Sequence, residues 1–561
     1  MNPRLKLLPL MLLAIGHGAL AQQLPGAGSQ LRQLPTPPPA PLPPAPLPPP
    51  QIRIEDGITA APSTADAPSV LVNQLRIAGA TAYPQAELVA VAGFVPGATQ
   101  TLAQMQAMAA RITDHYRNHG YFVARAYLPA QDVTTGTLTI AVSEGVLGQV
   151  ILRNQSGLAD QVARSRLAGL DSGDRLTIEP IEDRLLLLSD LPGVVVRSTM
   201  APGQAPGSSD LVVDVAPGRR VTGSVDADNA GNPYTGEYRV GATVNLNNPL
   251  GRGDVASLRV LTSGSGLSYG RAAYQMPFGR ATAGMAYSRL EYELGDRYEG
   301  LGAHGSADIA SLFGSVPLIR SRDTNLYTGL LLEHRDFQDR IDLISSVVDK
   351  QARVATASLY GNRYDGFGGG GANTFYLGLS VGELDIRTPT ARAADAASAR
   401  SDGGYAKLAF NASRLQRVTD RVALYGAIGG QIASRNLDPY EKMVLGGIDG
   451  VRAYPQGEGF GDEGILANVE ARVLLTGLSE RVPGQVHLVG FIDAGRIAAN
   501  RDPWFAGSND RTLSGAGIGA TWEAPGDFAV RTYYARKLGG EDAVSAADRS
   551  GRFWIQAIKY F

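Results

Sequence analysis

Few residues in this 561-residue chain have the types and spacing that catalysis needs. His115 and His119 lie four apart, where one helix face would offer both to a metal ion. No third ligand is evident beside them, and they are read as helix-surface residues. Gly366 to Gly371 form a glycine-rich run without the Lys-Ser/Thr that completes a phosphate cradle, so the run is read as a loop. Gly515, Gly517 and Gly519 imitate part of a dinucleotide fingerprint, yet no βαβ unit surrounds them and they are placed in a strand. No G-x-S-x-G elbow occurs, and none of the six His stands beside a plausible nucleophile. Cys is absent, which excludes disulfides, thiolate metal sites and a Cys nucleophile. The expectation is a protein with no catalytic residue, no metal and no cofactor.

The question then becomes what elements the chain builds. Its length calls for two or more units. A net charge of −2 gives no global signal for nucleic acid. Arg4 and Lys6, an apolar stretch from Leu7 to Ile15, and the small-x-small triplet Ala19-Leu20-Ala21 form a secretory signal peptide over 1–21. That stretch is too short to span a bilayer, which takes about 20 residues as a helix, and no other stretch of that length and apolarity occurs. From 22 to 69 runs a proline-rich segment, densest from Leu34 to Pro50, whose composition favours an extended spacer.

From Val70 to Pro217 strand and helix patterns mix. Leu71 to Ile77 reads as a strand, and Thr101 to His119 as a helix with Leu102, Met105, Met108, Ala109, Ile112 and Tyr116 at helical spacing and Gly120 as its stop. Phe122 to Tyr127 and Thr137 to Val142 read as strands. A similar order follows in Gln149 to Leu152, the helix Ile178 to Leu188, Val194 to Ser198 and Leu211 to Val215, which suggests a tandem pair of units, 70–145 and 146–217. After Gly218 helical periodicity vanishes. Segments of about ten residues alternate instead. Tyr238, Val240, Ala242, Val244 and Leu246 oppose Arg239, Gly241, Thr243 and Asn245. Ile465, Ala467, Val469, Ala471 and Val473 oppose Leu466, Asn468, Glu470 and Arg472. Phe553, Ile555, Ala557 and Phe561 oppose Arg552, Trp554, Gln556 and Tyr560. Apolar-out, polar-in alternation over about sixteen segments in 218–561 predicts a transmembrane β-barrel with an even strand number. Lipid cannot satisfy backbone groups, so the sheet must close on itself.

Several segments are similar to the two-partner secretion transporters, the TpsB family that includes the haemolysin and filamentous-haemagglutinin transporters. The stretch from Ile112 to Val150, with Gly120-Tyr121, the Leu128-Pro129-Ala130-Gln131 turn and Glu144-Gly145, resembles the family's first POTRA domain. Asp174 to Val215, with Leu191-Pro192-Gly193, Pro202-Gly203 and Ser209-Asp210-Leu211, resembles the second. Asp228 to Asp254 resembles the start of the family barrel. Val451-Arg452-Ala453-Tyr454 stands where the family has Val-Arg-Gly-Phe/Tyr at the tip of a loop folded into the lumen, here expected over 436–463 between strands eleven and twelve. Phe491, Asp493 and Gly495 match the family's Phe-x-Asp-x-Gly on strand thirteen, and Phe561 matches the aromatic C-terminus that serves as a barrel-assembly signal.

The resemblance implies α+β POTRA domains followed by an all-β barrel of about 16 antiparallel strands. It implies an outer-membrane pore with its POTRA domains in the periplasm, exporting an unfolded exoprotein captured by strand addition. The partners implied are a large secreted β-helical exoprotein (adhesin, haemolysin or toxin), outer-membrane lipid, and periplasmic chaperones with the barrel-assembly machinery; nucleic acid is not among them. It also implies that Arg452 pairs with Asp493 to tether the loop tip, in a lumen expected to be wet. Two departures stand out. Ala453 replaces the usual Gly, so a somewhat different turn is expected at the tip. The segment where the family carries a plug helix, Gln22 to Leu34, is short and broken by Pro25 and Gly26, so a stable helix is not expected there. Competing readings are a barrel-assembly factor, which would carry more POTRA domains than two, a passive porin, which needs none, and an outer-membrane lipase, for which no Ser-His-Asp set is available.

Overall fold

The structure, a computed structural model, describes residues 24–35 and 69–561. The expected signal peptide and most of the proline-rich segment lie outside those residues. Two compact units are present, a barrel unit from Val221 onward and a unit that precedes it.

In the barrel unit sixteen antiparallel strands close, each pairing with its neighbours in chain order. The alternation read from the sequence holds in space. Tyr238, Val240, Val469, Ile492, Ile518 and Phe553 are exposed on the outer face, whereas Arg239, Glu470, Asp493 and Trp554 are buried on the inner one. Strand lengths are uneven: eight residues in the first (Val221–Asp228) and third (Val255–Thr262), eighteen in the sixth (Ala303–Arg320) and seventh (Thr324–Ile341), and twenty in the eighth (Ser346–Asp365). The last strand, Gly551–Tyr560, pairs with the first over five residues, from Tyr560↔Ser224 to Gln556↔Asp228, against eight between the first and second (Arg239–Asn247). Phe561 extends that closure, because its N–H donates to the Gly223 carbonyl and its own carbonyl accepts from the Gly223 N–H, both at 3.1 Å.

Residues 434–462, between strand eleven (Val422–Ala433) and strand twelve (Glu463–Leu474), turn inward. Their chain doubles back through a short hairpin that pairs Met443–Val444 with Phe460–Gly461. Leu445, Val451, Ala453 and Tyr454 at its centre have no solvent exposure.

Contrary to the sequence expectation, the N-terminal segment does form a helix, Ala27–Arg32, within the barrel unit. Six residues have too little internal hydrogen bonding to hold a helix in water. The barrel supplies what the segment lacks. Asp339 on strand seven accepts the Ala27 N–H at 2.7 Å, filling the place of an N-cap, and Leu31 and Ala27 pack among Leu290, Ala307, Ile309 and Phe337 of the wall. Pro25 and Gly26 stand just before the helix, where neither interrupts it.

The preceding unit holds two similar arrangements. In the first, the strand expected over Leu71 to Ile77 divides at Asn73 into Ser69–Val72, paired with Ala98–Thr101, and Gln74–Ala78, which runs parallel to Thr137–Ser143. Arg125–Tyr127 forms the other edge of that sheet; the expected strand from Phe122 is shortened because Ala124 closes a turn back to Tyr121. Helix Leu102–Asn118 starts with a Thr101–Gln104 capping box and buries Met105, Met108, Ala109, Ile112 and Tyr116. A further helix, Gln85–Ala92, was not legible as amphipathic because only Leu88 and Ala92 are buried. Glu144 ties this arrangement together. Its carboxylate accepts from the Thr81 N–H (2.6 Å), the Ala82 N–H (2.7 Å) and the Tyr116 hydroxyl (2.8 Å). Burial alone would raise its pKa, but these donors and the Thr81 hydroxyl hold it below the usual carboxylate range. The second arrangement orders strands Val146–Asn154, Ser208–Pro217 and Val194–Pro202 beside helices Asp160–Leu167 and Ile178–Ser189.

Candidate functional site

Strand parity positions the receiving wall. On strand thirteen (Gln485–Ala498), Val489, Phe491, Asp493, Gly495 and Ile497 share the inner face, and on strand twelve Asn468, Glu470 and Arg472 do. The loop brings Arg452 against both. Its Nε and Nη2 donate to the two oxygens of Asp493 at 2.9 and 2.7 Å, and Nη1 donates to Glu470 at 2.7 Å. The Arg452 N–H adds a bond to Asp493 at 3.1 Å. Two carboxylates thus face one guanidinium, and Arg472 balances the second charge with bonds to Glu470 at 2.9 and 2.7 Å. The Asn468 amide donates both to the Asp493 carboxylate (2.8 Å) and to the Gly450 carbonyl of the loop (3.1 Å).

Aromatic rings complete the enclosure. The guanidinium lies 3.5 Å from the Phe491 ring centre and 4.9 Å from that of Tyr533, whose rings meet edge to face. Trp554 on the last strand donates its indole N–H to the Arg452 carbonyl at 2.6 Å. Arg452 is 3% and Asp493 0% exposed, so the expected wet setting is corrected: the tip sits in a dry pocket within the barrel. Val451 and Tyr454 are fully buried beside it, and the Tyr454 hydroxyl reaches the Glu541 carbonyl at 3.0 Å. Gly495 lies inward where a Cβ would meet Leu445 of the loop at 2.7 Å. Ala453 is not among the residues with positive φ, so its methyl imposes no backbone strain. Phe561 is remote from this cluster, half exposed at the barrel's closing edge.

Further loop anchors were not found from the sequence. Glu458 is fully buried and accepts from Arg511 of strand fourteen (Asp510–Ala524) and from the Ser545 N–H and hydroxyl at 2.8 and 2.6 Å. Glu441 faces Arg335, Lys407 at 2.7 Å and the Tyr405 hydroxyl at 2.8 Å. Within the loop itself, Asp462 meets Lys442 at 3.0 Å. The available signal was a pair of facts: carboxylates inside a loop already expected to fold inward, and Arg or Lys at inner-face positions of the strands. The helix Ala27–Arg32 then closes over the loop. Arg32 donates to the Lys442 carbonyl at 3.0 Å, Gln33 accepts from Asn232 at 3.0 Å, and a Cβ on Gly28 would come within 3.3 Å of both Asp438 and Tyr440. His115 and His119, by contrast, lie with ring centres 4.4 Å apart and planes tilted by 43°, in an aromatic group with Tyr83, and no group of three or more metal-ligating side chains occurs among the described residues.

A barrel whose lumen holds an Arg-tipped inward loop narrows the comparison with known proteins. The family model described as haemolysin secretion/activation protein ShlB/FhaC/HecB matches residues 207–522. The chain belongs to this family. A second family model, the ShlB-type POTRA domain, matches residues 70–145. The heme/hemopexin transporter protein HuxB of Haemophilus influenzae is 26% identical over 472 residues, covering 83% of this chain and 82% of its own. The outer membrane transporter CdiB of Dickeya dadantii is 24% identical over 480 residues, covering 83% of each. Among solved structures, CdiB from Escherichia coli has the same fold, with a TM-score of 0.67 at 23% identity over 90% of this chain and 93% of that one. As a ShlB/FhaC/HecB protein the chain is an outer-membrane β-barrel transporter of the two-partner secretion class with POTRA structure on the periplasmic side.

Proposed function

We propose that this transporter binds one large exoprotein, unfolded, through two POTRA domains, 70–145 and 146–217, and passes it through the barrel to the cell surface. The observation that carries the reading is the plugged lumen. A loop held by three carboxylate clusters and a helix docked on that loop occupy the barrel interior, so both must move for a chain to pass. Arg452 and Asp493, with Val451, Ala453 and Tyr454 around them, act as the tether that returns the loop to rest.

Capture rests on backbone chemistry. The edge strands Arg125–Tyr127 and Val194–Pro202 each pair on one side only among the described residues. An extended cargo segment can add to such an edge with little demand on its sequence. Folding of the cargo outside into a parallel β-helix supplies the drive, since no nucleotide is available in the periplasm. Phe561, bound to Gly223, serves as the terminal signal by which the assembly machinery closes the barrel. HuxB is named as a heme/hemopexin transporter and CdiB as an outer membrane transporter; the cargo here is proposed only as an exoprotein of that large, β-helical class.

The test compares secreted and cell-surface proteins between cells with the gene, without it, and with Arg452→Ala. Loss of one large exoprotein in the deletion, with reduced export in the point variant, is expected. A general fall in outer-membrane barrels with no single missing exoprotein would overturn the proposal in favour of an assembly factor.

A further inference from the structure

Strand fourteen carries three glycines beside the tether. Gly515, Gly517 and Gly519 alternate with outward residues such as Ile518, so all three face the lumen, directly opposite Asp493, Phe491 and Val489 of strand thirteen. Each is occupied from within. A Cβ on Gly515 would stand well inside van der Waals contact of the Ala453 methyl, one on Gly517 of the Tyr534 carbonyl and the Phe491 ring, and one on Gly519 of the Thr532 carbonyl and the Tyr533 ring. Atoms that are not bonded do not approach that closely.

We propose that Gly515 is a positioning residue of the tether, a notch in the wall that receives the Ala453 methyl and so sets where the loop tip comes to rest. The argument rests on the reading that Arg452 holds the loop in the lumen. Arg452 is flanked by Val451 and Ala453, so its guanidinium reaches Asp493 and Glu470 only while the tip backbone lies against strand fourteen. Electrostatics supplies the attraction and the notch supplies the distance. The match also accounts for the loop motif's departure from its family: a methyl at 453 is housed because the facing wall residue has none. Gly517 performs the same service for the Phe491 ring, which in turn lies under the guanidinium.

The experiment measures pore conductance of the full chain in planar bilayers, with barrel folding checked by heat-modifiable gel migration. Gly515→Ala should raise the resting conductance, because the tip can no longer seat. The double variant Ala453→Gly/Gly515→Ala should bring it back towards wild type; a Cβ at 515 then meets the Arg536 carbonyl at 3.1 Å, which a small shift absorbs. If Gly515→Ala does not fold, Ala453→Val enlarges the other partner without touching the wall and should raise conductance in the same way. Unchanged conductance in folded Gly515→Ala or Ala453→Val, or a double variant as leaky as Gly515→Ala, overturns the notch. Arg452→Ala in the same assay separates the two ideas: if it leaks while Gly515→Ala does not, the tether stands and the notch fails, and if neither leaks the tether itself fails.

Discussion

Arg452 makes geometry as well as charge essential. A lysine keeps the charge but not the planar fork that meets Asp493 on two oxygens and Glu470 on a third while lying flat on Phe491. Removing the cation leaves two carboxylates in a dry pocket, and breaking a buried pair of this kind costs about 3–5 kcal/mol. The loop can avoid that cost by leaving, since its departure admits water to Asp493 and Glu470. Arg452→Lys is therefore expected to leak nearly as much as Arg452→Ala in the bilayer assay, with both barrels still folded; a lysine variant with wild-type conductance would show that charge alone suffices. Glu144 provides a second prediction at this scale. Its pKa lies below the unfolded carboxylate value, so its contribution is complete above that value and is lost as pH falls through the lower folded one. Protection of the Thr81 and Ala82 amides, measured relative to their intrinsic exchange rates at each pH, should fall on that acid side and hold towards alkaline pH, and Glu144→Gln should flatten the dependence. Arg452 and Asp493 were legible because whole motifs match a family. Glu470, Trp554 and Tyr533 were not, since the register that aligns strands twelve, thirteen, fifteen and sixteen is written in long-range pairing and not in any one segment.

Among the elements, the alternating strands were the most legible, because lipid on one side and a polar lumen on the other impose a period of two on every segment. The helix Ala27–Arg32 was the least legible. Its stability is borrowed from Asp339, from the wall, and from the loop, none of which leaves a mark on residues 22–34. That origin predicts its weak point. Asp339 also accepts from the Tyr292 hydroxyl at 2.8 Å, so it holds the helix start and the wall at once. Asp339→Ala should raise resting conductance by loosening the helix, while leaving the Arg452 cluster intact; no change in conductance would mean that side-chain packing of Leu31 and Ala27 holds the helix without a cap.

For the whole molecule, the order of a mixed α/β region followed by a long β-rich one was readable from periodicity alone, as was an even strand count near sixteen. The way the barrel closes was not. Its last strand meets its first over five residue pairs, and Phe561 adds two more backbone bonds at Gly223. Deleting Phe561 should lower the fraction of barrel that reaches the folded, heat-modifiable form, more than a truncation-free Phe561→Leu, which keeps the backbone bonds. Equal yields from the two would place the value of this residue in its ring.

The helix lies over the loop, with Gly28 against Asp438 and Tyr440 and Arg32 on Lys442. If the proposed export takes place, departure has a sequence: the part of the loop under the helix, around Asp438 to Lys442, stays covered until the helix has moved, even once the Arg452 cluster has let go. In time-resolved terms, export by a resting transporter begins with a lag set by helix escape, and only afterwards reaches a steady rate set by the cargo. Asp339→Ala is expected to shorten that lag in a time course of export without altering the later slope, which would make one residue in the wall the molecule's clock.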